Sequence, residues 1–233
     1  MKRVLKFIFI KLPLALIALS IIWVLALKVL PPAGTPLMIR RSIQFSEDKD
    51  FHTRYKWVKL ENISPNLMKA VLSSEDNLFP KHNGFAVGEI KKMLKEHQEK
   101  GKKIRGCSTI SQQTAKNVFT SGRHSWIRKG VEAWYTVLIE LIWGKRRIME
   151  VYLNVVEMGP GIYGAQAAAQ HYWHKNAKDL TMGESALLAA CLPDPLNRKP
   201  TRVTRYLGKR QAQIISLSRK LSYPDWVKDP SSK

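Results

Sequence analysis

The sequence predicts a mainly α-helical protein with one membrane-spanning helix at its N-terminus. The first thirty residues contain a long apolar run behind a basic tip. Several later segments repeat apolar residues at helical spacing behind typical helix-capping residues. No series of alternating segments indicates a parallel sheet or a sandwich. At 233 residues the chain can hold one domain of about 200 residues besides such a helix.

The N-terminal segment 7–30 has the length of a single membrane-spanning helix. It can cross a hydrocarbon core of about 30 Å. Residues 12–27 carry no charge, and the Lys11 ammonium can extend toward the interface. A cleavable signal peptide is the alternative, but no small-x-small cleavage site precedes Pro31. We therefore favour an uncleaved anchor.

The basic tip 1–6 predicts the orientation of this anchor. By the positive-inside rule the tip stays in the cytoplasm and the rest of the chain is exported. The linker and lead-in at 31–59 begin with a run of prolines and are expected to be irregular, with one short strand. The main domain is expected at 60–233.

Charge and cysteine content restrict the partners. Lys and Arg number 39 against 18 Asp and Glu, a formal charge of +21, which indicates an anionic partner such as nucleic acid, anionic lipid or a phosphorylated substrate. Nucleic acid is disfavoured because the anchor exports the domain and no groove-reading motif is present. Cys107 and Cys191 are too few for a disulfide framework or a metal cluster. We expect reduced or buried thiols, although the sequence alone does not exclude a bridge between them.

The acidic pair Glu75-Asp76 is the leading candidate for catalysis. Ser64 and Pro65 predict the start of a helix, with Ser64 as N-cap and Pro65 in its first turn. Its apolar stripe runs through Val71, and Glu75 follows one turn later on the same face. A carboxylate held at the end of a packed helix can act as a general base. An exposed acidic helix end is the alternative, but acids are scarce in this chain.

The segment 85–105 is rich in lysine and has two open interpretations. It is either a solvated helix followed by a loop, or a basic flap at the lipid headgroups. After it, Thr109 and Gln112 form a capping box that begins another helix. Gln112, Gln113 and Lys116 are spaced to share a polar face. This face is either simply exposed or a set of donors for sugar or phosphate oxygens.

The longest helical pattern runs over 126–143, and its wide apolar stripe predicts a central core helix. The stripe consists of Ile127, Val131, Trp134, Tyr135, Leu138 and Leu141. Arg128 and Glu132 are four residues apart on this helix, the spacing of an ordinary ion pair. A second helix is expected at 145–154, with Glu150 and Asn154 on one face.

Gly159-Pro160-Gly161-Ile162-Tyr163-Gly164 matches the glycine spacing of a dinucleotide-binding loop. We reject that interpretation because a proline fills a position that should approach a pyrophosphate and no βαβ series surrounds it. A turn between two helices is expected instead. Thr181 and Glu184 form a capping box for a helix at 182–192, and a basic helix follows at about 203–221.

Five stretches of the chain resemble one family. They are, in order, Glu75-Asp76-x-x-Phe79-x-x-His82-x-Gly84; Gly106-x-Ser108-Thr109-Ile110-x-Gln112-Gln113-x-x-Lys116-Asn117; Arg128-Lys129-x-x-Glu132; Lys145-x-x-Ile148-x-Glu150-x-Tyr152-Leu153-Asn154; and Leu192-Pro193 before Pro200. Over about 60–200 the chain is similar to the peptidoglycan glycosyltransferases, glycosyltransferase family 51. The segment 154–164 resembles their monofunctional biosynthetic branch. One departure is at Ala86 and Val87, where the family often carries an Asp.

The resemblance implies a lysozyme-like fold with a large helical lobe and a smaller basic lobe over a membrane-proximal cleft. It implies polymerisation of lipid II, a disaccharide-pentapeptide on polyprenyl diphosphate, into glycan strands. The expected site is the outer face of the bacterial inner membrane, with a periplasmic catalytic domain. We expect no transpeptidase activity, because the chain has no room for that domain. Expected partners are lipid II, the nascent strand, membrane lipids and proteins of cell division or wall synthesis.

Roles for the candidate residues follow from that reaction. Glu75 is the expected general base for the acceptor hydroxyl, and Lys116, Arg128 and Lys145 supply charge to the leaving diphosphate. Glu132 either orients Arg128 or binds a divalent cation, Mg²⁺ or Mn²⁺, that bridges the diphosphate. No organic cofactor is expected. Gln112, Gln113 and Asn154 are expected to position sugars or neighbouring side chains. The expected supporting residues are Asp76, Phe79, His82, Ser108 and Thr109.

Two rival functions remain at this point. A lysozyme-like hydrolase would also use Glu75, but it normally needs a second carboxylate, for which Asp76 or Glu132 are candidates. A basic, membrane-tethered binder of anionic wall polymer would depend on charge and not on Glu75.

Overall fold

The computed structural model describes residues 7–101, 108–120 and 125–232. The basic tip and Cys107 lie outside this part of the chain. Cys191 is buried, and a bridge between it and Cys107 is therefore not tested. Most of the described chain is helical.

The described chain contains eleven α-helices and three short strands. The helices are α1 (Leu12–Val29), α2 (Pro36–Gln44), α3 (Pro65–Glu75), α4 (Val87–Lys100), α5 (Ile110–Phe119), α6 (Trp126–Ile142), α7 (Gly144–Val155), α8 (Gly164–Trp173), α9 (Met182–Cys191), α10 (Arg205–Lys220) and α11 (Asp225–Lys228). The strands β1 (Arg54–Tyr55), β2 (Glu157–Gly159) and β3 (Ile162–Tyr163) form one small sheet. In it β3 is central, parallel to β1 and antiparallel to β2. The helices expected at 126–143, 145–154, 182–192 and 203–221 correspond to α6, α7, α9 and α10.

Capping residues set the starts of the central helices as predicted. The Ser64 hydroxyl accepts a hydrogen bond from Asn66 N, and Pro65 begins α3. Both capping boxes are present, Thr109 with Gln112 at α5 and Thr181 with Glu184 at α9. Each cap satisfies backbone donors that the first helical turn leaves without partners.

Two groups of packed helices meet at the end of α3. Helix α3 packs mainly against α9 and α10, and α5 packs against α6 and α7. The apolar stripe of α3 is buried, as predicted; it consists of Leu67, Met68, Val71 and Leu72. Glu75, the last residue of α3, is hydrogen-bonded to Gln113 of α5 and therefore lies where these two groups adjoin.

The lead-in contains a helix that the sequence analysis placed in irregular chain. Thr35 Oγ1 accepts a hydrogen bond from Met38 N, and Pro36 begins α2. This is the same Ser/Thr-Pro start that predicts α3, but here it ends a run of prolines that was interpreted as a linker. Arg41 of α2 then pairs with the buried Glu157 of β2 at 3.1 Å, which fixes the lead-in to the domain. The expected short strand is present as β1.

The expectation that α6 is a central core helix is wrong for most of its apolar stripe. Ile127 is 82% exposed and Leu141 78% exposed, whereas Glu132, Thr136 and Ile139 are buried. Periodicity shows that one face of a helix avoids water, but it does not show whether protein or lipid covers that face. Here the exposed stripe lies beside the equally apolar α1, which packs along α6.

The N-terminal helix is joined to the domain by hydrogen bonds. The π-helical turn Phe7–Lys11 continues into α1, and Phe7–Val29 is long and apolar enough to cross a membrane. Trp134 Nε1 donates to Ser20 Oγ at 3.1 Å, and Trp143 Nε1 donates to the Val24 carbonyl at 2.8 Å. Arg147 donates to the carbonyls of Leu27 and Leu30 near the end of α1.

The glycine-rich segment forms a hairpin and not a phosphate-binding loop. The expected turn between two helices is the β2–β3 connection, placed between α7 and α8. Gly164 follows it with φ of +80°, and a Cβ there would lie 2.2 Å from the Asn154 carbonyl oxygen. A positive φ and this close approach both require glycine.

We expect Gly164→Ala to lower the free energy of unfolding by about 2 kcal/mol or more, because it adds strain and a backbone clash. Thermal unfolding of the purified protein in detergent measures this. Gly130→Ala is the control, since that helical glycine has open space around its Cβ position. It should be neutral or slightly stabilising. Equal melting temperatures for the two variants would contradict the packing described.

Candidate active site

Glu75 ends α3 at the mouth of a cleft. Its side chain lines a cavity of about 220 Å³ together with residues from the α3–α4 loop, α4 and the start of α5. These residues include Asp76, Glu89, Ser108 and Thr109. An acid in such a concave polar site can contact a substrate hydroxyl.

A buried tyrosine and a glutamine orient the Glu75 carboxylate. Gln113 Nε2 of α5 donates to Glu75 Oε2 at 3.1 Å. Tyr152 of α7 is fully buried, and its hydroxyl donates to Gln113 Oε1 at 3.2 Å. This second bond sets which end of the amide faces Glu75. Gln113 therefore positions the acid, and the tyrosine was not anticipated from the sequence as part of this arrangement.

Burial raises the pKa of the Glu75 carboxyl above its ordinary value. The Gln113 hydrogen bond, the Arg210 charge and the Ser74 hydroxyl act in the opposite direction, and the neighbouring Asp76 adds to the increase. A raised pKa makes Glu75 a stronger base than an exposed glutamate once it is ionised.

Asp76 and His82 hold the start of α5 against the end of α3. Asp76 Oδ2 accepts hydrogen bonds from Ile110 N at 3.0 Å and from His82 Nε2 at 2.9 Å. His82 Nδ1 accepts from Gly84 N, and Thr109 Oγ1 donates to the Gly84 carbonyl at 2.6 Å. These bonds give Asp76, His82 and Thr109 a scaffolding position beside Glu75.

A cationic group lies one turn further along α5. Lys116 is exposed three residues after Gln113, a rise of about 4.5 Å. Loss of hydration lowers the pKa of its ammonium; the nearby Glu132 raises it, and the cations Arg128, Arg40 and Lys129 lower it further. Lys116 is therefore close to the charged residues of α6 and to Arg40 of the lead-in helix, which the sequence analysis had not singled out.

Glu132 holds two of these cations in place. It is buried, accepts a hydrogen bond from Arg128 Nη1 at 3.2 Å and is paired with Lys129. The Nε atom of Arg128 is also buried and has no hydrogen-bond partner among the described residues. A buried guanidinium N–H without a partner can serve an anionic ligand.

Lys145 pairs with a different carboxylate, Glu140 of α6. Its ammonium donates to Glu140 Oε1 at 2.6 Å and lies 4.6 Å from the centre of the buried Phe79 ring. These contacts tie α7 to α6 and to the α3–α4 loop, and the expected role of Lys145 at the diphosphate stays a prediction.

Gln112 Oε1 and the side-chain amide of Asn154 form hydrogen bonds inside the protein. Gln112 is buried, and its Oε1 accepts from Thr109 N in the capping box, so the expectation of a shared polar face with Lys116 is wrong for Gln112. Asn154 is fully buried and bonds to both the N–H and the carbonyl of Val58. It connects α7 to the lead-in backbone.

Arg210 is a residue near Glu75 that the sequence analysis missed. Its Nη2 donates to the Ser74 carbonyl at 3.4 Å. It lies 135 positions further along the chain in a helix identified only as basic, and nothing in that pattern separates it from its neighbours.

The described residues do not form a metal site by themselves. No group of three or more His, Cys, Asp or Glu side chains in this part of the chain could hold a metal ion. Glu132, the expected ligand, already binds Arg128 and Lys129. The divalent cation stays a prediction, and the mechanism below does not depend on it.

Comparison with known proteins identifies the family. Residues 44–218 match the model of the Transglycosylase family. A biosynthetic peptidoglycan transglycosylase from Bacteroides thetaiotaomicron is 51% identical over 201 residues, covering 86% of this chain and 81% of that protein. Proteins with the same name from Shewanella oneidensis and Xanthomonas campestris are 47% and 44% identical over 211 and 220 residues. These alignments cover 91% and 94% of this chain, and 90% and 89% of those proteins. This chain therefore belongs to the peptidoglycan transglycosylases, a family of glycosyltransferases with a lysozyme-like fold.

Proposed function

We propose that the protein polymerises lipid II into linear glycan strands at the outer face of the bacterial inner membrane. The observation that carries this proposal is the arrangement on α5. Gln113 orients the acid Glu75, and one turn later Lys116 lies beside Arg128 and Glu132. A base and a cationic group at neighbouring positions suit the transfer of a sugar from a diphosphate.

In the proposed reaction Glu75 acts as the general base. Its carboxylate removes the proton from the 4-hydroxyl of a lipid II acceptor, and that oxygen bonds to the anomeric carbon of the growing chain. The bond from this carbon to the diphosphate breaks at the same time, and polyprenyl diphosphate leaves with the electron pair. An α-linked donor becomes a β-linked product in one inverting displacement, so one carboxylate is sufficient.

The leaving diphosphate is stabilised by charge. Lys116 and Arg128 neutralise the negative charge that develops on its oxygens, and the buried Arg128 Nε supplies a donor in addition. Glu132 keeps Arg128 and Lys129 in place before the substrate arrives. Such preorganisation avoids moving charged groups during the reaction.

The N-terminal helix is proposed to remain attached and to place this site at the membrane. Its hydrogen bonds with Trp134, Trp143 and Arg147 make it part of the domain, which is unlike a removable signal peptide. The basic tip would keep the N-terminus cytoplasmic. The exposed apolar stripe of α6 continues this apolar surface and would lie against lipid.

Helix α4 retains both interpretations given to the basic segment. It is an exposed helix with basic residues along its length, and Glu89 near its start lines the Glu75 cavity. Movement over an acceptor stays a prediction, as do partners from the wall-synthesis machinery.

The contacts of Asp76 and Glu132, the two candidates for a second carboxylate, disfavour a hydrolase. Asp76 Oδ2 accepts two hydrogen bonds within the scaffold, and Glu132 is paired with two cations. Neither carboxylate is free to activate a water molecule as a second catalytic acid would.

Purified full-length protein with labelled lipid II in detergent should give long glycan strands, seen on a gel and digestible by a muramidase. A hydrolase would instead release short muropeptides from preformed polymer. Unchanged lipid II, or muropeptide release, would contradict the proposed function. A non-catalytic binder would retain the label without converting it.

The rate of polymerisation should fall on acidification through a pKa above the ordinary glutamate value. Glu75 acts only when ionised, and burial raises its pKa, so the protonated, inactive form persists to higher pH than for an exposed acid. The pH dependence of kcat/KM for lipid II measures this. Glu89→Gln, which changes another carboxylate of the cavity, should not shift the acidic limb of this pH profile, the range in which kcat/KM falls on acidification. An acidic limb at or below the ordinary value in the wild type would contradict the assignment.

Arg128→Lys should lower kcat/KM for lipid II by about 10- to 100-fold, because lysine keeps the charge but loses the planar fork and the buried Nε donor. The charge beside Glu132 remains, so folding should be intact by thermal unfolding. Arg219→Lys, an exposed position of α10, is the matched control and should have wild-type kinetics. Equal kinetics for the two variants would remove Arg128 from the diphosphate site.

A further inference from the structure

We infer that Arg210 is a positioning residue for catalysis: its guanidinium fixes the last turn of α3 and places a positive charge behind the Glu75 carboxylate. This inference rests on the proposed role of Glu75 as the base. It assigns a function to a residue in the C-terminal basic helix, which the mechanism above does not use.

The geometry of α10 places Arg210 behind the base. Helix α10 packs against α3, and Arg210 is half-buried at this contact. Its Nη2 donates to the carbonyl of Ser74, the residue before Glu75, at 3.4 Å. Its Nη1 donates to Gln213 Oε1 on the next turn of α10, also at 3.4 Å. The two bonds hold the guanidinium beside the end of α3.

The Ser74 carbonyl is one of the last of α3, where backbone carbonyls lack partners within the helix. A cation at this end of a helix is favourable, because the carbonyl dipoles point toward it. A carboxylate at the same end is unfavourable for the same reason. Arg210 therefore offsets an electrostatic cost that the position of Glu75 creates.

The other titratable or polar groups around Glu75 come from the elements packed against it. They are Asp76 beside it, Glu89 from α4 across the cavity and the neutral Tyr152 hydroxyl from α7, while Gln113 from α5 carries no charge; His82 is bonded to Asp76. Burial and Asp76 raise the pKa of Glu75, and the positive charge of Arg210 lowers it. Removal of this charge should therefore raise the pKa of Glu75 further.

The test is the pH dependence of kcat/KM for lipid II in the full-length protein. Arg210→Gln removes the charge and keeps a donor for the Ser74 carbonyl. We expect its acidic limb to move to higher pH by about half a unit to one unit, with a plateau at alkaline pH close to the wild type. Arg210→Lys should restore most of the limb position. Arg205→Ala, in the exposed first turn of the same helix, should not move it.

The outcomes separate this inference from the proposed function. If Arg210 only supported the fold, Arg210→Gln would lower the melting temperature or the rate equally at all pH values without moving the limb, and the inference would be overturned. An unmoved limb in Arg210→Gln, in a preparation where Glu75→Gln is inactive, also overturns it and leaves Glu75 as the base. Near-normal activity of Glu75→Gln would instead refute the proposed function itself. If Arg210→Gln fails to fold, the pH dependence of kcat/KM is measured for Arg210→Met beside the Arg205→Ala control. An acidic limb of Arg210→Met at the wild-type pH would also overturn the inference.

Discussion

The hydrogen bond between Gln113 Nε2 and Glu75 Oε2 joins the two helix groups at the cleft. Glu75 belongs to the end of α3, which is buried by α9 and α10, whereas Gln113 belongs to α5, which packs against α6 and α7. The hydroxyl of the buried Tyr152 donates to Gln113 Oε1 and so fixes the orientation of the glutamine amide. A base held from both sides loses little entropy when it reaches its reactive geometry. The remaining features of the site depend on how α5 is placed.

Helix α5 relates the base to the charges because it is rigid. Its start is fixed by the capping box and by Asp76, and its exposed turn then carries Lys116 toward Arg128 and Glu132. The apolar stripe of α6, on the same helix as Arg128, lies beside α1. A substrate with an apolar tail, a diphosphate and a sugar would place its tail at the apolar stripe and its diphosphate at the charged residues. Its sugar would then lie near Glu75. The positive charge of the whole chain is consistent with such a substrate.

The sequence predicts features that depend on local contacts and fails where distant ones decide. The helix starts predicted from Ser64-Pro65 and from the two capping boxes are confirmed, because a cap and its helix are neighbours in the chain. The equivalent start at Thr35-Pro36 was overlooked inside a proline run. The partners of Lys145 and the position of Arg210 come from tertiary packing and leave no periodic pattern. The stripe of α6 was identified, but the sequence could not show that the protein leaves it uncovered.

The most direct test of the central claim is the activity of Glu75→Gln on lipid II. Glutamine keeps the size of the side chain and a polar contact with Gln113, so the fold and lipid II binding should be retained. The rate of strand formation should fall by about a factor of 100 or more, since a general base contributes roughly that much. Wild-type Gln113 and Lys116 remain in place, and any loss then belongs to the carboxylate. Near-normal polymerisation by this variant would contradict the assignment of Glu75 as the base.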